Sequence, residues 1–141
     1  MSRRVILGLR PSWGVHKEIT NSSTTRRLDL LQPDWRESFE TRNVYASHEP
    51  GPGDESPHDI VNWLDENRVD IVVTLGQEVA RIISRPIGKA PWLSVNVVSL
   101  NFAVRHTTVF KFPHPSGRNR WYNDQHNVEQ ARRLLWAASI L

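Results

Sequence analysis

The residue types best suited to chemistry occur together in one stretch, residues 113–121 (Pro-His-Pro-Ser-Gly-Arg-Asn-Arg-Trp). Histidine is the side chain whose ordinary pKa lies nearest to neutral pH, so His114 is suited to holding or donating a proton. Arg118 and Arg120 are suited to phosphate, and Trp121 is suited to stacking. No other stretch combines a titratable group, basic residues and an aromatic so tightly. We call residues 113–121 the His114 loop.

The elements on either side of the His114 loop predict where it lies in the fold. Residues 107–112 are rich in β-branched and aromatic side chains, which indicates a strand, and residues 128–140 repeat apolar side chains at helical spacing. His114 therefore follows the carboxyl end of a predicted strand. In open α/β sheets, ligands bind at that end of the strands.

Size and composition limit the class of protein. A chain of 141 residues with 38% hydrophobic and 23% charged residues predicts a single globular domain over residues 1–141. No run approaches the roughly 18 apolar residues of a membrane span, so no membrane partner is expected. The apolar start is too short for a signal peptide, so we expect a protein that is not secreted and acts in the cytoplasm, the nucleoid or the nucleus.

Cysteine, histidine and charge content narrow the chemistry. The sequence has no cysteine, which excludes disulfides and cysteine-ligated zinc or iron–sulfur sites. The six histidines are scattered without ligand spacing, so we expect neither a metal nor another cofactor. The net charge of +3 and the pI of about 9.8 suit a polyanionic partner, although many basic proteins bind none.

Periodicity and capping residues predict the remaining elements. The four main predicted strands are residues 4–9, 39–46, 69–75 and 107–112, and a further short strand is suggested at 95–98. The predicted helices run from a cap at Ser22 or Ser23 to Leu31, from Ser56-Pro57 to about Asn67, over residues 77–84, and from a cap at Asp124 through residue 140, while residues 85–91 form a connector. Because helices recur between strands, the sequence predicts an α/β fold, a three-layer α/β/α arrangement around a mainly parallel four-stranded sheet.

Several segments, in this order along the chain, resemble motifs of one family: Gly8–Ser12, Thr25–Leu28, Phe39–Val44, Val72–Ala80 and His114–Gly117. The family is the uracil-DNA glycosylase superfamily, and the segments are similar to its first motif and following helix, its second and third strands, and its second motif. The Pro-Ser-Gly run resembles the mismatch-specific and single-strand-selective branches, whereas the lack of cysteine sets the chain apart from the iron–sulfur branches. The resemblance spans nearly the whole chain. It implies hydrolysis of the bond between uracil, or a related pyrimidine, and its sugar, after the nucleotide is flipped out of DNA.

The resemblance implies a role for each motif residue. When the base leaves, negative charge grows on its O2, and His114 is the candidate to stabilise that charge as a neutral donor or as an acid. The alternative is a histidine that only bonds a neighbouring carbonyl. Asn43 carries an amide suited to pairing with the O4/N3 edge of uracil, and the alternative is a strand-end asparagine that satisfies the backbone.

Two further groups of residues complete the predicted site. Gly8, Pro11, Ser12 and Trp13 would line the base pocket with Asn43. The small Ser12 implies tolerance of 5-substituted pyrimidines, unless Trp13 folds into that space. The residues predicted to enter the duplex or follow the strand are Ser116, Gly117, Arg118, Asn119, Arg120 and Trp121. The alternative is a solvated turn with Trp121 in the core; Lys111 and the Arg26-Arg27 pair are interpreted as ordinary surface charge.

Arg10 departs from the family pattern, which commonly has Asp or Asn at this catalytic position to hold the water. An arginine stays protonated and cannot act as a base, and its charge would repel a forming sugar cation. Two explanations remain open for how the reaction would proceed. Either a dissociative mechanism needs little help from a base, or Glu18 or Asn21 holds the water instead. A separate alternative is that Arg10 points away from the reaction and binds a phosphate.

Three hypotheses follow for the function. The first is a pyrimidine-DNA glycosylase that acts on single- or double-stranded DNA, with Arg10 and His114 at its catalytic centre and no cofactor. The second is a catalytically attenuated relative that binds DNA, a base or a protein. The third is an α/β enzyme acting on nucleotides or sugar phosphates, which has little support because neither a P-loop nor a Gly-x-Gly-x-x-Gly motif is present.

Overall fold

The computed structural model describes residues 2–51, 56–102, 105–116 and 118–141, with the side chain of Phe102 excluded. Strands and helices alternate along these ranges, as the sequence predicts. The strands are β1 (Arg4–Gly8), β2 (Glu40–Asn43), β3 (Ile71–Leu75), β4 (Val95–Val98) and β5 (Thr107–Phe112). The helices are α1 (Ser22–Leu31), α2 (Trp35–Ser38), α3 (Pro57–Glu66), α4 (Gln77–Ile83), α5 (Arg85–Lys89) and α6 (Gln125–Ile140), with short 3-10 turns at Leu100–Phe102 and Arg120–Asn123.

The strands form one sheet with the order β2-β1-β3-β5-β4. β1 is parallel to both β2 and β3, β3 is parallel to β5, and only β4 runs antiparallel to its neighbour. The prediction of a mainly parallel α/β sheet is therefore confirmed, but the number of four strands is wrong because the sheet has five. The fifth is the guessed strand at Val95–Val98. It is an edge strand whose Val95 and Val97 side chains face solvent, so it lacks the continuous apolar run of a buried strand.

Alternation along the strands divides the core into two layers. In β1, Ile6 packs with one set of buried side chains, and Val5 and Leu7 pack with the other. Buried residues of α1, α2 and α6 cover the first face of the sheet, and those of α3, α4 and α5 cover the second. This arrangement is the predicted three-layer α/β/α architecture. Within the described ranges, no helix combines the length and the apolar character needed to cross a membrane.

The N-terminal ends of the helices test the capping residues predicted from the sequence. The start of α3 is confirmed, with the backbone N–H of Ser56 donating to the Asp59 carboxylate at 2.7 Å. The cap of α6 is also confirmed, because Asp124 accepts from the backbone of His126 at 2.8 Å. The cap predicted at Ser22 or Ser23 is wrong, because Asn21 precedes them and accepts from the Ser23 backbone at 3.2 Å.

The prediction of a connector over residues 85–91 is wrong, because this stretch contains the helix α5. Pro86 lies in the first turn of this helix, where its fixed φ and missing N–H are tolerated. Gly88 packs against Arg81 of α4, and a Cβ added at Gly88 would lie 3.0 Å from the Arg81 Cα. Proline and glycine therefore mark a tightly packed helix here, although the same residue types usually mark loops.

Lys111 corrects another expectation, because it is a core residue and not ordinary surface charge. Only 2% of the residue is exposed, and its Nζ donates to the carbonyls of Gly88 at 3.1 Å and Ala90 at 2.7 Å. These carbonyls belong to the end of α5, where helical oxygens lack partners within the helix. Desolvation lowers the pKa of Lys111 below its ordinary value. The ammonium thus fastens α5 to β5.

We expect Lys111→Met to destabilise the fold. The substitution keeps an apolar stem of similar length but leaves the Ala90 carbonyl without its donor, which costs about 1–3 kcal/mol. The Gly88 carbonyl loses one of two donors, because the Gln77 side chain also donates to it. The free energy of unfolding, measured with urea, reports the loss. Lys89→Met is the matched control because Lys89 lies on the same helix and is exposed, and we expect it to change stability by less than about 0.5 kcal/mol. Equal unfolding midpoints for the two variants would contradict the role of Lys111.

Candidate functional site

The strand order places a crevice at the carboxyl edge of the sheet. The chain passes from β1 to β2 on one side and then returns to place β3 on the other side of β1. At such a reversal the connections leave in opposite directions, which opens a crevice beyond the strand ends. Gly8 ends β1 and Leu75 ends β3, so this crevice begins at these two residues.

A small cleft occupies this position and brings together several of the predicted site residues. Its volume is about 20 Å³. A cleft of this size holds about one water molecule. It is lined by Gly8, Leu9, Arg10, Ile19, Thr20, Asn21, Thr24, Asn43, Leu75 and His114. Gly8, Arg10, Asn43 and His114 therefore share one cleft, whereas the predicted pocket residues Pro11, Ser12 and Trp13 do not line it.

His114 reaches the cleft because Gly76 has no side chain. Gly76 has a φ of +102°, a conformation that favours glycine, and a Cβ added there would lie 3.3 Å from the Cβ of His114. The imidazole is open to solvent on one side. Desolvation by the atoms packed around it lowers the pKa of His114 below its ordinary value. The imidazole is therefore predominantly neutral at neutral pH, and among the described residues its ring has no hydrogen-bond partner.

Asn43 has a structural task that occupies both of its amide hydrogens. Its Nδ2 donates to the carbonyls of His16 at 3.1 Å and Glu18 at 2.9 Å. Its Oδ1 faces the end of β1, where a Cβ added at Gly8 would lie 2.9 Å away. Asn43 thus holds the segment after β1 in place and offers a ligand no free donor. This geometry matches the alternative of a strand-end asparagine that satisfies the backbone.

The segment after β1, residues 9–20, is called the β1 loop and is pinned to the chain that follows β2. The backbone N–H of His16 donates to Ala46 at 2.6 Å, and the N–H of His48 donates to Gly14 at 3.0 Å. A β-bridge joins Val15 to residue 47 between them. The β1 loop is therefore ordered by long-range backbone hydrogen bonds, although its sequence contains the loop-forming residues Pro11 and Gly14.

The predicted pocket residues on the β1 loop lie in different environments. Pro11 is buried, and its carbonyl accepts from His48 Nδ1 at 3.0 Å. Ser12 and Trp13 are exposed, and the Trp13 ring meets the His16 ring edge-on at 5.2 Å between centroids. Trp13 therefore does not fill the space beside Ser12. Arg10 is exposed at the rim of the cleft, with its guanidinium 5.5 Å from the Tyr45 ring centre.

The His114 loop combines internal contacts with two free charges. The Asn119 side chain donates to the His114 carbonyl at 2.7 Å and accepts from the Trp121 backbone at 3.1 Å, so it shapes the loop. Trp121 is half-buried against the first core layer, 4.8 Å from the Tyr122 ring. Arg118 and Arg120 are exposed.

Ser116 and Gly117, the other two residues predicted to follow a nucleic-acid strand, add little to the site. Ser116 is half-buried, and its carbonyl accepts from the Asn119 backbone at 3.1 Å. Gly117 lies outside the described residues. Of the six residues predicted to follow a nucleic-acid strand, only Arg118 and Arg120 present exposed charged side chains.

The first turn of α1 supplies a cleft residue that the sequence analysis did not identify, Thr24. Thr24 is only 5% exposed, and within the described ranges its hydroxyl has no hydrogen-bond partner. Asn21, the cap of the same helix, lies beside it in the cleft lining. Of the two residues considered for holding a water, Asn21 thus lies at the cleft, whereas Glu18 contributes only its carbonyl to Asn43. The i, i+3 spacing of Asn21 and Thr24, which puts both residues on one side of the helix, is the sequence signal that could have identified Thr24.

A larger groove of about 330 Å³ lies between β2 and α3, on the other side of Asn43. It is lined by Arg42, Asp59, Trp63 and Glu66 among others, and the Arg42 guanidinium stacks 4.4 Å from the Trp63 ring centre. Its carboxylates disfavour an anionic ligand, and it lies away from His114. The smaller cleft is the better candidate because it lies at the strand-order reversal and contains the imidazole.

Comparison with known proteins adds no assignment. No protein-family model matches the chain, and a search of curated proteins finds no match. Among residues 2–51, 56–102, 105–116 and 118–141, no three acidic or histidine side chains come together to hold a metal ion.

We expect Asn43→Ala to loosen the β1 loop. The substitution removes the donor for the His16 and Glu18 carbonyls, at a cost of about 1–3 kcal/mol. Hydrogen exchange of the backbone amides at residues 14–19 should become faster, while exchange in β3 should change only through global stability. Asn96→Ala, on the edge strand β4, is the control and should leave the β1 loop protected. Unchanged exchange in the β1 loop of Asn43→Ala would show that the amide does not hold it.

Proposed function

We propose that the chain is a DNA glycosylase that hydrolyses the N-glycosidic bond of uracil or a related pyrimidine turned out of a DNA strand. The observation that carries the proposal is the cleft at the ends of β1 and β3, where His114, Arg10 and the first turn of α1 converge. The residues come from segments that resemble the family motifs, in the same order along the chain. No cofactor enters the proposed reaction, and a DNA substrate implies action in the cytoplasm, the nucleoid or the nucleus.

His114 is the proposed catalytic residue. As the base–sugar bond breaks, negative charge moves onto the pyrimidine O2 and positive charge onto the sugar. A donor placed at the oxygen lowers this barrier, and loss of such a donor costs on the order of 10²–10³ in rate. The lowered pKa of His114 favours a neutral imidazole, which donates a hydrogen bond without placing a second positive charge beside the sugar cation.

The water is proposed to lie at the first turn of α1. The Thr24 hydroxyl and the Asn21 amide are polar groups on the wall of a cleft of about 20 Å³. That volume fits one water molecule. Arg10, on the rim, cannot accept a proton from this water because its guanidinium stays protonated. The proposed mechanism is therefore dissociative. The base–sugar bond breaks first, a water that is positioned but not deprotonated in advance adds to the sugar cation, and the proton that this water loses goes to the departed pyrimidine anion.

A pyrimidine needs more room than this cleft provides. Arg10 and His114 line the cleft and are exposed, so outward rotation of these two side chains is the proposed route of entry. Asn43 is assigned to holding the β1 loop, because its amide hydrogens are already bonded to His16 and Glu18. Arg118 and Arg120 are the proposed phosphate contacts.

A second candidate function is binding of DNA without efficient cleavage. The specific observation in its favour is the position of Arg10, whose charge lies at the rim of the cleft where the family pattern has a group that holds water. A guanidinium there is suited to a phosphate and unsuited to activating water.

Base release from defined oligonucleotides tests the proposal. We expect abasic sites in single- or double-stranded DNA carrying uracil, hydroxymethyluracil, or G·U and G·T pairs, detected by alkaline strand cleavage. His114→Ala should reduce the rate by about 10²–10³, because the donor at the pyrimidine oxygen is lost. His126→Ala, an exposed histidine at the start of α6, should leave the rate unchanged. Salt-sensitive binding with no abasic product would support the second candidate, and neither binding nor product would reject both.

The pH dependence tests the protonation state of His114. The folded pKa of His114 is lowered from 6.5, so the neutral donor is present at neutral pH and is lost only as the pH falls through that lowered value. We expect a rate that is constant above this range and decreases on the acid side. In His114→Gln, which keeps an amide donor without a titrating ring, the acid limb should disappear. A rate that instead increases as the pH falls would identify the imidazolium as the active form.

A further inference from the structure

Trp13 is exposed in a way that its surroundings do not explain. Among the large apolar side chains of the described residues it is one of the most exposed, at 70%. It lies on the β1 loop between Arg10 and Lys17, three residues after Arg10, which lines the cleft. Leaving an indole in water forgoes the stabilisation that burial of its large apolar surface would give.

The backbone on both sides of Trp13 is fixed, so the indole is held out in a defined place. The carbonyl of Pro11 accepts from the His48 ring at 3.0 Å, and the carbonyl of Gly14 accepts from the His48 backbone at 3.0 Å. Gly14 adopts a φ of +71°, which turns the chain directly after Trp13. The edge of the His16 ring supports the indole. A rigid aromatic ring loses little conformational entropy when a second ring stacks on it.

The charges around this indole complement a phosphate backbone. Arg10 and Lys17 are exposed on the same loop, and Arg118 and Arg120 are exposed on the His114 loop, whose His114 lines the cleft together with Arg10. Glu18 is the acidic residue of the β1 loop, so the two loops together carry more positive than negative charge. An exposed aromatic among basic side chains is the usual arrangement for binding a single strand, with bases stacked and phosphates paired.

The His114 loop offers a complementary observation. Its aromatic residue, Trp121, packs against the core beside Tyr122 and is not extended as an apolar wedge. Wedges of that kind unstack a duplex when a protein bends or opens it. Among the described residues of the two loops, the exposed aromatic is Trp13, on the β1 loop, and a base that stacks on it must already be free of its partner strand.

We infer that Trp13 is a stacking platform for a nucleotide of single-stranded DNA adjacent to the cleft. This inference rests on the proposed function and names its substrate as unpaired DNA. One base stacks on the indole while its neighbouring phosphates pair with Arg10, Lys17 and the arginines of the His114 loop. The scissile nucleotide then lies at the cleft without having been extracted from a duplex.

Binding to short oligonucleotides that lack uracil tests this inference separately from cleavage. Fluorescence anisotropy of a labelled single strand and of its duplex gives the Kd of each. Base stacking on an aromatic is worth about 1–3 kcal/mol by alanine substitution, so Trp13→Ala should raise the single-strand Kd by about 5- to 150-fold. Trp13→Phe should retain most of the affinity. The duplex, whose bases are paired, should show a much smaller effect of Trp13→Ala.

Trp136→Ala is the matched control. Trp136 is 60% exposed, but it lies near the end of α6, which reaches the start of β1 through the 2.6 Å bond from Arg4 to the Leu141 carbonyl. That is the opposite edge of the sheet, so this variant should bind DNA as the unmodified protein does. Because Trp13 is exposed, its substitution should leave the circular dichroism spectrum and unfolding midpoint unchanged.

The outcomes separate the inference from the proposed function. Equal single-strand affinity for Trp13→Ala and the unmodified protein, an equal loss for duplex and single strand, or no binding of DNA by the unmodified protein would each overturn the inference. Trp13-dependent binding without abasic product would uphold the inference and reject the glycosylase. Abasic product with no effect of Trp13→Ala on the Kd would uphold the glycosylase and reject the platform.

Discussion

The parallel register of β1 with its two neighbours is the constraint on which the candidate site depends. Gly8 pairs with Asn43, and Leu7 pairs with Thr74, so three strands end at nearly the same level. The backbone continues the pairing beyond the strands, where the N–H of Val44 donates to Gly8 at 2.8 Å. A shift of the pairing register of β1 by one residue would turn every β1 side chain to the other face of the sheet and displace the strand ends. The core layers and the cleft thus follow from the same hydrogen bonds.

Much of the fold was predictable because the central strands carry their own signal. Ile71–Leu75 is buried along its whole length and reads as an apolar run. The predictions that fail concern residues whose structure depends on tertiary contacts. Val95–Val98 has a single neighbouring strand, so the sequence supports it only weakly. Lys111 is charged, and contacts distant along the chain favour its burial, namely the carbonyls at the end of α5 and the Trp92 ring 4.8 Å from its Nζ. No local pattern contains that information, because the two carbonyls are separated from Lys111 by more than twenty residues along the chain.

The membership of the candidate site was predictable only in part, since Pro11, Ser12 and Trp13 do not line the cleft, and its geometry was not predictable. The sequence indicated that His114 follows the carboxyl end of a strand, where ligands bind in open α/β sheets. The resemblance implied that Asn43 would join it, and Asn43 ends the parallel strand β2. The sequence did not show that the Asn43 amide is bonded to the β1 loop, since those contacts span more than twenty residues. It also did not show that Thr24 faces the cleft. Which face a helix presents depends on how it packs, and α1 packs through Leu28 and Leu31.

Arg10 links the proposed chemistry to the proposed substrate. A unit charge about 4 Å from another interacts by about 1 kcal/mol in water and about 4 kcal/mol at the effective dielectric of a protein surface. Because the guanidinium is exposed, its repulsion of a sugar cation lies toward the smaller figure. In the proposed complex the same guanidinium would attract the phosphate next to the scissile nucleotide, and the phosphate charge would offset part of that repulsion. An arginine at this position is therefore compatible with the proposed slow, dissociative cleavage, and in that proposal it also helps to hold the strand.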